Sequence, residues 1–416
     1  MQYVLWVASF IGLWMTIVWL SILFLQDTDT KEKSLSTAQL PSVTIVVPVF
    51  NGKNVVLRTL ESIKNLDYPP QKLETIVVDD GSSDTSAAVV QQFISLNQNM
   101  KVVLIRQAAN KGKGASVNVA LARASGDFFQ VMDCDCRTEP NALRRMIACF
   151  HDVRVAAVIP TIKVETPRTA FEYGQRVEYI MSNLLRHLLS RMNTLFLTCA
   201  MAVFRTRVLR SVGGFDGNKQ NLTEDLEIAL RLRSKKYVTT MAYDAVAYTH
   251  VPKTFYAVWR QRERWFRGFL YNHNKYKSMI GNPDYGLFGL FQLPLNILGV
   301  LVLLVTTVFV TYGGLTNFWD FLARSLTING YFWNHVLDFP TTKELLLGQD
   351  VQVVLPLMFG TALGIWLIVL AHKGVQEKVL RYAAHIWLYF LVSPYLTALH
   401  WLNSIFKELV RAKRKW

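Results

Sequence analysis

The sequence predicts an α/β domain with a mostly parallel sheet, held on a membrane by apolar helices at both ends. Three observations carry that reading. Tyr3–Leu25 contains no charged residue, and its 23 positions, at about 1.5 Å rise each, match the roughly 30 Å core of a bilayer. Comparable apolar runs return only at Tyr285–Tyr312, Val351–Ala371 and Ala383–Phe406. Between them, short β-branched runs alternate with helical patterns, the order that builds a parallel sheet with helices on both faces.

Taken in order, 1–26 is expected to be a transmembrane anchor. A cleaved signal peptide shows a basic start and a small-x-small site, whereas Met1-Gln2 carries no side-chain charge and Leu23-Phe24-Leu25 is bulky. A linker, 27–41, leads to a cytosolic domain over 42–252 and an interfacial amphipathic helix region over 253–284. A transmembrane helix over 285–312, an outer loop over 313–350 and a second helix over 351–371 follow, then a Pro-broken segment over 383–406 and a basic tail over 407–416. Lys31, Lys33, Lys275, Lys277, Lys373, Lys378 and Arg381 all mark the side of the middle domain, and Lys and Arg concentrate on the cytoplasmic side of spans. A single crossing by the last run would put Lys407, Arg411, Lys413, Arg414 and Lys415 outside. Pro394 removes a helix hydrogen bond, so Ala383–Ser393 and Tyr395–Phe406 read as a re-entrant hairpin, with one kinked span as the alternative. The expected location is the plasma membrane, multi-pass, with the middle domain cytoplasmic.

Composition removes several classes. The chain is 51% apolar and 18% charged, below the roughly 25% charged residues of a soluble domain. Disorder needs few apolar residues and a disulfide scaffold needs dense cysteine; here Cys134, Cys136, Cys149 and Cys199 are scattered, as free cytosolic thiols. Much of the +15 net charge flanks the apolar runs, where anionic lipids account for it. The bilayer is the implied partner, and nucleic acid is not.

In the middle domain Ser42–Val49 and Thr75–Asp79 read as strands, with a helix over Val55–Leu66 between them. A helix over Ser86–Leu96, a strand over Val102–Ile105, a helix over Ala115–Ala124 and a strand over Phe128–Met132 continue the alternation. Ligands of such sheets bind beyond the carboxyl ends of the strands. That rim carries Pro48 and Asn51, then Asp79, Asp80, Gly81, Ser82, Ser83 and Asp84, then Asp133 and Asp135. If the last strand continues, Asp133 and Asp135 project from one face, where two anions repel unless a cation lies between them or one is protonated. Oxygen ligands favour Mg²⁺ or Mn²⁺. Cys134 and Cys136 invite zinc, but no second Cys/His pair stands at zinc spacing. Lys111-Gly112-Lys113-Gly114, before a helix, offers two cations and a flexible backbone suited to phosphate, or a structural turn with solvated lysines.

The set Asp79-Asp80-Gly81, Asp133-Cys134-Asp135, Thr223-Glu224-Asp225 and Gln261-Arg262-Glu263-Arg264-Trp265, between terminal membrane segments, resembles the membrane-bound processive glycosyltransferases of family 2, with a GT-A, Rossmann-like domain. The Thr-Glu-Asp triplet, with Trp259 before the box, is most similar to poly-β-1,6-N-acetylglucosamine synthases; cellulose and hyaluronan synthases are also similar. The resemblance implies Asp80 on uracil, Asp133 on the ribose side of a UDP-sugar, Asp135 with Asp133 on the metal, and Lys111 or Lys113 near the nucleotide. Asp225 is the implied general base, assisted by Glu224, which together also read as an acidic helix start under Thr223 as cap. Gln261, Arg262, Arg264 and Trp265 are the implied substrate-binding box; the i, i+3, i+4 spacing puts Gln261, Arg264 and Trp265 on one face and Arg262 off it. Where relatives often carry a Gly-containing stretch at the acceptor edge, Thr198-Cys199-Ala200-Met201 precedes Phe204-Arg205, and its added methyls are expected to narrow the acceptor channel.

The expected activity is inverting, metal-dependent transfer of a sugar, N-acetylglucosamine by resemblance, to the growing end of a β-linked polysaccharide, coupled or not to export. A single-addition transferase acting on a polyprenyl phosphate or glycolipid is one alternative. A non-catalytic nucleotide-sugar-binding partner of a synthase complex is the other. Expected partners are a UDP-sugar, a glycan or lipid-linked acceptor, the bilayer and a small membrane accessory subunit.

Overall fold

The computed structural model describes residues 2–25, 39–196, 198, 201–337, 351–375 and 383–414. Lys31, Lys33, Cys199, Ala200, Lys378, Arg381 and Lys415 lie outside the described residues, as do most of the linker and residues 338–350 of the expected outer loop.

Four parallel strands, β1 (Val43–Val49), β2 (Leu73–Asp79), β3 (Val102–Arg106) and β4 (Phe128–Val131), stand in the order β3-β2-β1-β4. All lie within two residues of the sequence expectation. The reason is visible in β1, buried along its whole length between two layers. Val43, Ile45, Val47 and Val49 pack with Val56, Leu60 and Ile63 of α2 (Val56–Lys64) and Val90 and Phe93 of α3 (Ser86–Leu96). Val46 packs on the other face with Val117 and Leu121 of α4 (Lys113–Arg123). The sheet continues through β5 (Cys136–Thr138), β6 (Val155–Val164), β7 (Val203–Arg205) and β8 (Val238–Thr249) in the order β4-β7-β6-β8-β5. Here β7 runs antiparallel to both neighbours, and β6 and β8 are parallel. Three further helices matter for the site: α6 (Ala170–Arg191), α8 (Glu224–Ser234) and α9 (Phe255–Lys275). Helix α5 spans Ala142–Ala148 and α7 spans Thr206–Ser211.

The apolar ends form α1 (Gln2–Leu25), α10 (Leu293–Thr327), α11 (Tyr331–Leu337), α12 (Val351–Gly374) and α13 (Ala383–Leu409). Two helical stretches are long and apolar enough to cross a membrane, Trp6–Phe24 and Phe288–Thr327. Helix α10 runs past the expected end at Tyr312, because Gly313-Gly314 weakens a helix without the clash that proline brings. Helices α1 and α12 rest on α6, where Trp19, Leu23, Leu367 and Ala371 gather over Ile180, Leu184 and Leu188. From the same helix Asn183 holds the sheet, accepting from the Ile162 N–H and donating to its carbonyl.

The expected hairpin at Pro394 is replaced by one helix, α13, with the proline inside it. An internal proline costs about 3 kcal/mol, and α13 offsets it by packing along its length on the domain. His385 stacks on Tyr173 at 4.4 Å, and Trp401 on Phe266 at 4.5 Å. At the far end Lys407 pairs with Glu263 and Glu408 with Arg267, both at 2.7 Å. Both ends of α13 therefore touch α6 or α9, and the tail carbonyls of Ala412 and Lys413 accept from Arg267 of α9.

Candidate active site

Strand order reverses about β1, with β2 on one side and β4 on the other, where open parallel sheets bind ligands. Pro48 lies beyond Val46↔Val131, the last β1–β4 pair, so its missing N–H falls where that ladder has ended. Asn51, left-handed at φ 51°, donates its N–H to Ser82 Oγ and accepts from the Ser83 N–H, each at 2.9 Å. Asp79 is buried and accepts from the Ser82 N–H at 3.1 Å. Asp80, also buried, accepts from the N–H groups of Lys111 at 2.8 Å and Gly112 at 2.9 Å and from Gln107 Nε2 at 3.1 Å. It thereby pins the lysine loop against the rim. Gly81, at φ 71°, is required there: a Cβ would stand 2.8 Å from the Asn110 nitrogen.

The strand does not continue through the two aspartates. After Val131 the chain turns, closed by the Cys136 N–H on the Asp133 carbonyl at 3.0 Å, and this turn brings Asp133 and Asp135 together. The side chain of Lys113, first residue of α4, reaches the middle of the rim. Its Nζ lies 2.6 Å from Asp133 Oδ1 and 3.4 Å from Glu224 Oε1. Burial disfavours its charge, but the carboxylates of Asp133, Glu224 and Asp225 outweigh burial and hold its pKa above the ordinary lysine value. Burial, with Asp133 adding to it, raises the Asp135 carboxyl. Burial also raises Glu224; Lys113 opposes it and Asp225 adds to it. Glu224 Oε2 is buried with no hydrogen-bond partner among the described residues. Carboxylates from the β4 turn and the start of α8 thus face one ammonium, while the Lys111 side chain is exposed at the mouth.

Thr223 occupies the N-cap position of α8, but its side chain makes no capping bond. It faces α9 instead, where Asn272 Nδ2 donates to Thr223 Oγ1 at 3.0 Å and to Asn221 Oδ1 at 3.0 Å. Gly268, one turn earlier, lies so close that a Cβ would meet Thr223 Cγ2 at 2.5 Å. Lys275 and Tyr276 close the joint on the buried Glu227, at 2.8 and 2.7 Å. Arg264, Gly268 and Asn272 share one helical face, so this joint carries Arg264 to α8, where its charge opposes the upward shift of Glu224. Gly268 and Asn272 escaped sequence reading; their signal was the four-residue step from Arg264. Asp225, partly exposed, accepts from the Leu226 N–H at 2.8 Å, while its carbonyl accepts from Thr198 Oγ1 at 2.5 Å.

The box divides. Arg262 is buried and bonded to Glu178 of α6 at 2.7 Å, donates to Gln261 Oε1 at 3.2 Å, and lays its guanidinium 4.2 Å over the half-buried Trp265 ring. It steadies the indole from behind rather than facing the carboxylates.

Among the described residues no group of three or more His, Cys, Asp or Glu side chains forms a ready metal cage. Asp133 and Asp135 still fit Mg²⁺ or Mn²⁺, which are bound through one or two carboxylates and completed by substrate phosphates. Cys134 and Cys136 make no zinc site either, since among the described residues no further His or Cys joins them in a group of three or more.

Residues 44–213 match the family described as glycosyl transferase family 2. A probable glycosyltransferase, YdaM, of Bacillus subtilis is 30% identical over 240 residues, 56% of this chain and 56% of that one. A poly-β-1,6-N-acetyl-D-glucosamine synthase of Staphylococcus aureus is 25% identical over 271 residues, 62% of this chain and 64% of that one. The chain therefore spans little more than half the length of the curated relatives it matches. The solved mannosyltransferase PcManGT of Pyrobaculum calidifontis, in complex with GDP-Man and Mn²⁺, superposes with a TM-score of 0.54 at 20% identity, covering 88% of this chain and 94% of that one. This likeness shows the GT-A fold.

Proposed function

Since residues 44–213 match the family described as glycosyl transferase family 2, we propose that the protein is an inverting glycosyltransferase. It would transfer N-acetylglucosamine from a UDP-sugar to the growing end of a β-linked polysaccharide, as a multi-pass membrane protein with its catalytic domain cytoplasmic. The observation that carries the proposal is the meeting of Asp133, Glu224 and Asp225 around the Lys113 ammonium, beside Arg264. The poly-N-acetylglucosamine synthase relative supports the choice of sugar.

In this reading the acceptor hydroxyl attacks the anomeric carbon from the face opposite UDP. Asp225 takes the hydroxyl proton as the new C–O bond forms, the bond to the diphosphate breaks, and its electron pair leaves with UDP. Asp135 and Asp133 would hold Mg²⁺ or Mn²⁺, which would supply charge neutralisation for the departing diphosphate. Arg264 contacts the diphosphate as a planar fork, Lys113 and the exposed Lys111 add positive charge around the nucleotide, and Trp265 offers a flat face to the acceptor sugar. Asp80, by holding the Lys111-Gly112 loop, shapes the uracil side together with Asn51 and Pro48.

Purified protein incubated with each UDP-sugar and Mn²⁺, with released UDP and product mass as readouts, tests the proposal. Turnover unchanged in Asp225→Asn would remove Asp225 from the base role. A single-addition reaction on a lipid-linked acceptor is the second reading, favoured by the small apolar part, in which two described stretches are long enough to cross a membrane. Product length separates the two.

A further inference from the structure

Helices α6, α9 and α13 enclose a cavity of about 560 Å³, behind the Arg262–Trp265 pair. Apolar groups such as Phe171, Val258, Phe266 and Val392 make up most of its wall, with His385 and His400 among the polar residues that interrupt it. Its size is that of a ligand site, since pockets that bury small molecules run from about 300 to 1,000 Å³. The charged pair in its wall, Arg262 and Glu178 at 2.7 Å, is mutually neutralised. Neither is left over to hold a phosphate, and no other Lys, Arg, Asp or Glu lines the cavity, which favours an occupant whose buried part is uncharged. Beside the cavity α13 exposes Trp387, Leu388 and Leu391, at 74%, 51% and 69%. Such a face needs an apolar covering, which places bilayer hydrocarbon next to the cavity. Over α6 the space is free, as a Cβ on Gly174 would meet nothing within 4 Å.

We propose that this cavity binds one hydrocarbon chain of a bilayer phospholipid as a fixed part of the α6–α9–α13 layer. The inference rests on the membrane placement proposed above and is independent of the sugar chemistry. Because Arg262 forms cavity wall on one side and lies over Trp265 on the other, the chain abuts the group that steadies the indole.

The test uses the full chain in vesicles of phosphatidylethanolamine and phosphatidylglycerol, doped with phosphatidylcholine carrying a diazirine in one acyl chain. Flotation reads membrane placement; irradiation and peptide mapping read the cavity. The expected result is label on the α6 segment around Gly174 and the α13 segment around Val392. Gly174→Leu, and separately Val392→Phe, should each reduce it about tenfold by filling the space, with flotation and labelling of α10 unchanged. Floating protein labelled only on α1 and α10, or labelling unmoved by both substitutions, overturns the inference. Labelling of these segments by a diazirine polyprenyl phosphate and not by the phospholipid also overturns it, assigning the cavity to a lipid-linked acceptor. Protein that fails to float overturns the membrane placement itself.

Discussion

Gly268→Ala measures how closely α9 must sit against the start of α8. The added Cβ would meet Thr223 Oγ1 first, and would stand 2.5 Å from Thr223 Cγ2 and 2.9 Å from Thr223 Cβ, against the 3.4 Å at which ordinary contact begins. Rotating the threonine cannot relieve the Cβ contact, and Asn272 holds the Thr223 hydroxyl at 3.0 Å. Helix α9 must therefore back away by at least about 0.9 Å if Thr223 stays in place. Overpacking of this kind costs about 1–3 kcal/mol of stability. A displacement of about 1 Å in catalytic geometry costs on the order of 100-fold in rate. The expected outcome is a fall in kcat near that size, with a modest drop in melting temperature, measured as UDP release and thermal unfolding of one preparation. Thr223→Ala in the Gly268→Ala background should recover part of the rate, because the nearest remaining atom is then Cβ at 2.9 Å. Melting and kcat both equal to the parent would refute the idea that this joint sets the position of Arg264.

Asp225→Asn should lower kcat by about 10²–10⁴-fold, the range for loss of a general base, with UDP binding by calorimetry unchanged; weakened UDP binding would place Asp225 on the donor instead. Chelation should abolish turnover and Mn²⁺ restore it, with Asp135→Asn needing more Mn²⁺ for half-maximal rate; an unshifted Mn²⁺ curve would remove Asp135 from the metal. Glu178→Gln should raise the acceptor KM more than it lowers kcat, with Glu178→Asp closer to the parent, since it frees the guanidinium behind Trp265; equal loss in Trp265→Ala and its Glu178→Gln double variant would confirm that the two act together. Burial works to raise the Glu74 carboxyl, but Lys101, Ser125 and Thr44 bond its charged form and bring it down to about 2 from 4.5. Its contribution is present above the unfolded value and fades as pH falls from about 4.5 to about 2. Glu74→Gln should cost about 2–3 kcal/mol at neutral pH by the linkage of shift to stability, a gap that denaturant titrations should see close in acid.

The strands β1 to β4 were legible because each is a short β-branched run buried on both faces, and the aspartates at their ends stand out against such runs. Strand β7, three residues flanked by antiparallel partners, offers no pattern of its own. The joint of Gly268 and Asn272 with Thr223 was hidden for a different reason. It lies between helices some forty-five positions apart in the chain, and a helical glycine reads locally as a weak point rather than as a close approach. Pro394 misled because local sequence reports the lost hydrogen bond and not the aromatic and ionic contacts that outweigh it. Thr223 misled in the same way, its hydroxyl turned from its own helix to Asn272.

Helix α6 is bolted on two sides. Asn183 clamps the backbone of Ile162 in the sheet, while Ile180, Leu184 and Leu188 receive the feet of α1 and α12. The carboxylate rim consequently stands at a set height above the apolar helices and has little freedom to tilt, so on the proposed membrane placement the reach from the lipid surface to Asp225 is a built-in ruler for whatever molecule is presented to it.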